Sequence, residues 1–86
     1  MNARQKRTLE KIFERPSRCD LEWNEVKSLL TACGAEIREG KGSRVRVILH
    51  NRVLNLHSPH PQKEMKKYAV GLVRDFLEIT GEKPNE

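Results

Sequence analysis

The stretch from Ser43 to His57 constrains this chain more than any other. Val45, Val47 and Leu49 alternate with Arg44, Arg46, Ile48 and His50; Leu54 and Leu56 then alternate with Val53, Asn55 and His57. Alternation at period two is the pattern of a strand with one buried face. Asn51 marks the turn between the runs. A two-residue connection, His50-Asn51 or Asn51-Arg52, keeps all five apolar residues on one side. The chain is therefore predicted to form an antiparallel hairpin with an apolar face and a basic face. His57 then falls beside Arg44 or Arg46 on the basic side. A two-stranded hairpin is not stable alone in water, so the remaining elements have to cover its apolar face.

The flanking sequence supplies those elements. Trp23, Val26, Leu29, Leu30 and Cys33 recur at helical spacing and predict a helix from about Glu22 to Cys33, with Asp20 or Asn24 as its cap and Gly34 as the reversing residue. Trp23 lies in that apolar stripe and reads as a core residue. Ala35–Glu39 reads as a short first strand. After the hairpin, Pro59-His60-Pro61 predicts a non-helical exit. Residues 63–68 read as a starting helical turn, followed by a helix to about Ile79 whose core face is Ala69, Leu72, Val73, Phe76 and Leu77, closed by Gly81. Ahead of all this, Leu9, Ile12 and Phe13 predict a first helix over residues 4–14, ended by Pro16. Whether that helix packs on the domain is open at this level. Lys83 to Glu86 reads as a frayed end.

A chain of 86 residues with 36% hydrophobic and 34% charged residues has room for one modest core. It has no apolar run of membrane-spanning length and no signal-peptide pattern, so the expectation is a cytoplasmic protein without a membrane partner. Cys19 and Cys33 form no CxxC pair and have no histidine at ligand spacing. Cys33 reads as a core residue and Cys19 as a free loop thiol. Neither a metal site nor a cofactor is expected.

The net charge of +5 suits a polyanionic partner. Lys41, Arg44, Arg46 and Arg52 surround the hairpin and Lys63, Lys66 and Lys67 follow it, while Glu36, Glu39 and Glu64 interrupt the patch. Gly40-Lys41-Gly42 can bring backbone N–H groups close to a phosphate, although it is no nucleotide fingerprint because no helix follows it at the right place. His50, near the turn, reads as a solvent-exposed residue. His57 and His60 are the candidates for proton transfer.

The predicted architecture is α+β: an α-β-β-β-α core with a three-stranded antiparallel sheet covered on one face by helices, plus an extra N-terminal helix. It resembles the double-stranded-RNA-binding fold. A closer match lies in the residues themselves. The chain has Leu29-Leu30 followed by Gly34-Ala35, then Glu39-Gly40-Lys41-Gly42-Ser43-Arg44-Val45-Arg46-Val47. His57-Ser58-Pro59-His60-Pro61 and Val73-Arg74-Asp75-Phe76-Leu77-Glu78 complete the pattern. It resembles the HicA family of toxins over residues 22 to 81, which divides the chain into an N-terminal helical extension (1–16) and a HicA-like domain (20–82).

The resemblance implies a cytoplasmic ribonuclease toxin of a type II toxin–antitoxin pair, cleaving mRNA and inhibited by a HicB-like antitoxin. Many members carry Gly-Ser-His with that histidine catalytic. Here Arg44 stands in its place, so either another histidine takes over or this branch binds RNA without cutting it. RNA cleavage needs a base for the 2′-OH, an acid for the leaving 5′-oxygen, and cations for the crowded phosphate. The assignment is His57 and His60 to proton transfer, Arg44 and Arg46 to the phosphate, and Ser43, Lys41 and Lys63 to RNA binding. The alternatives are a non-catalytic RNA-binding domain and a basic protein-interaction module.

Overall fold

A computed structural model of the chain describes residues 1–84. Its elements in order are α1 (Ala3–Ile12), α2 (Trp23–Ala32), β1 (Glu36–Glu39), β2 (Arg44–Leu49), β3 (Arg52–His57) and α3 (Lys67–Ile79). The strands form one antiparallel sheet in the order β1-β2-β3. This is the expected α+β arrangement. The expected frayed segment reaches into residues 85 and 86, which lie outside the described residues.

The hairpin has the register that the alternation requires. Arg44 pairs with His57, Val45 with Leu56, Arg46 with Asn55 and Val47 with Leu54. His50 and Asn51 form the connection with φ of 50° and 63°, the left-handed geometry that matches strand twist in a two-residue turn. Val45, Val47, Leu49 and Leu56 are buried, whereas Arg44, Arg46, Asn55 and His57 are exposed. Helices α2 and α3 cover the apolar face, with α2 against β1 and α3 against β3.

Two short pieces of main chain complete the core in a way the apolar spacing did not announce. Residues 63–66 are not helical but bridge to the segment before α2: Met65 N–H donates to Leu21 C=O at 2.8 Å and Trp23 N–H donates to Lys63 C=O at 3.0 Å. This pairing buries Leu21 and Met65 and ties the end of the Pro59–Pro61 exit to the start of α2. Neither expected cap is used at that start. The Glu22 N–H donates instead to the Glu25 carboxylate at 3.1 Å. Trp23 is in the core as expected.

The buried arc of α3 also differs from expectation. Val70 and Arg74 are inside and Leu72 is out. Arg74 can be buried on this face because its Nε and Nη2 both find acceptors there. Its Nε donates to Ile12 C=O at 2.8 Å, and its Nη2 donates to Glu14 C=O at 3.1 Å and to Ser17 Oγ at 2.6 Å. Carbonyls at the end of a helix lack partners within the helix and carry its negative dipole end, so a buried guanidinium is well matched there. Arg74 thus clamps the end of α1 onto α3. Leu9 and Ile12 fill the same core, and Gln5 Nε2 donates to Ser28 Oγ on α2 at 3.0 Å. The first helix is packed into the domain. In the segment that follows, the Arg18 guanidinium spans Glu14 and Asp20 and holds the Asp20 carboxyl below the usual range.

Candidate nucleic-acid interface

The exposed face of the sheet is built by register. Arg38 on β1, Arg46 on β2 and Asn55 on β3 lie in one row. Arg44 and His57 form the next row, and Gly40 N–H donates to Arg44 C=O at 2.8 Å to close the turn beside them. These side chains line an open hollow of about 530 Å³. Arg38 is paired with Glu36. Among the described residues the side chains of Arg44 and Arg46 have no ion-pair or hydrogen-bond partner, so two unpaired guanidinium groups line the hollow, while the Glu39 carboxylate that also lines it is paired with Lys27. Guanidinium forks of this kind match phosphate oxygens well.

His57 is held more closely than the other histidines. Ser58 N–H donates to Ser43 C=O at 2.8 Å, continuing the β2–β3 ladder one step past the last pair. That step brings the Ser43 hydroxyl to 3.1 Å from His57 Nδ1. The imidazole tautomer decides which of the two donates. In either case Nδ1 is engaged and Nε2 is the ring nitrogen left for another partner. Gly42, with φ of 66°, allows the sharp approach into Ser43.

His57 also lines a second, smaller hollow of about 200 Å³ on the side of α3, together with Ser43, Ser58 and His60. The structure therefore brings His57, Ser43, Arg44 and Arg46 to one corner of the sheet and sets His60 beside it. It does not bring in Lys63, which lines a separate hollow with Trp23 and Gln62 near the start of α2. Lys41 is exposed on the β1–β2 turn and lines neither of the hollows that hold His57. His50 is in the hairpin turn, exposed, away from both. Sequence reasoning missed Lys66 and Tyr68 as neighbours of His60. The signal was the short distance in sequence from Pro61 to the start of the last helix. Among the described residues no three His, Cys, Asp or Glu side chains cluster as metal ligands.

A family model described as HicA toxin of bacterial toxin-antitoxin matches residues 23–81, from the first residue of α2 to the glycine after α3. The chain belongs to the HicA toxin family. No curated protein and no solved structure matches it. The HicA match contains the whole sheet and both hollows, while α1 lies outside it. Arg74 connects the two, since it lies within the HicA match and holds the end of α1. No helix among the described residues is long and apolar enough to cross a membrane.

Proposed function

We propose that this HicA toxin is a metal-independent endoribonuclease that cleaves mRNA in the cytoplasm and is held inactive by a HicB-type antitoxin. The observation that carries the reading is the corner of the sheet where Ser43 Oγ lies 3.1 Å from His57 Nδ1 and Arg44 is paired across from His57. Arg44 occupies the place where many family members have histidine. The proton-transfer chemistry passes to its cross-strand neighbour, His57, and to His60 in the adjoining hollow.

The step proceeds as follows. The 2′-oxygen of the RNA attacks the adjacent phosphorus, its O–P bond forms, and the bond from phosphorus to the 5′-oxygen breaks. One histidine takes the proton of the 2′-OH and the other gives a proton to the departing 5′-oxygen. Arg44 and Arg46 hold the phosphate oxygens and stabilise the charge that builds there. Ser43 fixes the His57 ring. Lys41 and Lys63 lie farther along the surface and attract the RNA backbone by charge. The antitoxin covers the same basic face.

The test is incubation of the purified protein with a defined single-stranded RNA in EDTA, followed by analysis of the product ends. The expected products carry a 2′,3′-cyclic phosphate and a 5′-hydroxyl. RNA that is bound but uncut, or cut only when a metal ion is supplied, would contradict the reading.

A further inference from the structure

Among the described residues the Tyr68 side chain makes no hydrogen bond and is not part of the core. The other aromatic residues, Phe13, Trp23 and Phe76, are part of the core or packed against it. Tyr68 is 60% exposed although it lies in the first turn of a helix whose next two residues are buried. Tyr68 lines the smaller hollow, which it shares with His57 and His60. The floor there is apolar, with Met65 and Ala69 2% and 3% exposed. The rim is polar, formed by Ser43, Ser58 and Lys66. An aromatic wall, an apolar floor and a polar rim suit a flat ligand with apolar faces and hydrogen-bonding edges. A hollow of about 200 Å³ holds one such ring system.

We propose that Tyr68 is a stacking platform for one unpaired nucleobase, the base of a nucleotide next to the phosphate that is cut. The proposal rests on the ribonuclease reading above and adds to it the substrate's form. His57 is the shared wall of the two hollows. An RNA strand with its phosphate against Arg44 and Arg46 therefore has the smaller hollow one step away, on the far side of His57. A base reaches it only when it is out of a helical stack, which selects RNA that is single-stranded at that position. Base stacking on an aromatic ring tolerates every base and is strong enough to dominate such a contact.

The experiment measures binding of a 2′-O-methyl oligoribonucleotide, which cannot be cut through its 2′-oxygen. An abasic position is walked along the strand, and wild type, Tyr68→Ala and Tyr68→Phe are compared. One abasic position is expected to weaken wild-type binding on the order of 10-fold. That same position should cost Tyr68→Ala nothing further, and Tyr68→Phe should behave as wild type. Equal abasic losses in wild type and Tyr68→Ala would overturn the stacking role while leaving the ribonuclease reading intact if cleavage of ordinary RNA persists. Failure of wild type to bind RNA at all would overturn both. Because Tyr68 is exposed, the alanine variant is expected to keep the wild-type circular dichroism and melting temperature.

Discussion

The Ser43 hydroxyl and His57 Nδ1 are 3.1 Å apart, joining the turn residue before β2 to the last residue of β3. The contact depends on the extra ladder bond from Ser58 N–H to Ser43 C=O and on the positive φ at Gly42. One hydrogen bond in such a place contributes about 0.5–1.5 kcal/mol. Ser43→Ala is therefore expected to slow RNA cleavage by about 2- to 10-fold, with the loss in kcat and little change in RNA affinity. Steady-state kinetics with a short fluorescent RNA checks this. An equal loss in affinity would mean that Ser43 contacts the RNA and does not position the histidine.

Among the described residues Arg44 and Arg46 line the larger hollow without a carboxylate partner, whereas Arg38 in the same hollow is paired with Glu36. Arg44→Gln and Arg46→Gln are expected to weaken binding to all RNA sequences alike. Each should also reduce the slope of log affinity against log salt by about 0.7. Arg38→Gln should change that slope less. A salt titration of RNA binding by anisotropy separates the three.

Much of the site follows from one feature, the two alternating runs around Asn51. Their parity alone puts Arg44, Arg46 and His57 on one face, and the two-residue turn at His50 and Asn51 fixes the pairing of Arg44 with His57. What stayed hidden has a common cause. Leu21 and Met65 are core residues outside any helix or strand of the fold, held by main-chain bonds between segments far apart in sequence. No periodicity reports such pairing. Arg74 was hidden for a different reason. A charge within an apolar stripe is read as a surface residue, and only the bare carbonyls at the end of α1 make its burial favourable. Leu72 fits the helical spacing of the apolar residues, but the buried arc runs through Val70 and Arg74 and leaves it outside.

The Arg74 clamp makes a stability test. Arg74→Met keeps most of the side chain's bulk and removes every donor, leaving the carbonyl of Ile12 without its 2.8 Å partner. A buried acceptor left unpaired costs about 1–3 kcal/mol. Urea denaturation should report a loss of that size. Shortening the chain to remove residues 1–16 should destabilise it as well, since Leu9 and Ile12 leave the core with α1.

Cys33 gives the chain a dependence on alkaline pH. Burial, and then the nearby Glu82 carboxylate, push its thiol up from 9.0 to about 11. The folded state thus holds the thiol proton more tightly than the unfolded state. The stabilisation is fully present below pH 9.0 and is lost as pH rises toward about 11. Melting temperature should fall across that window more steeply for wild type than for Cys33→Ala. In native protein a thiol reagent should label the exposed Cys19 ahead of Cys33.

The most direct measurement is single-turnover cleavage of a defined single-stranded RNA in EDTA by wild type and His57→Ala, with RNA affinity measured in parallel. His57 is exposed, so its replacement leaves the core untouched. The expected result is a fall in cleavage rate of about 10²–10⁴ with affinity changed by no more than a few-fold. Cleavage by His57→Ala at the wild-type rate would contradict the account, because the corner formed by Ser43, Arg44 and His57 would then not be where the RNA is cut.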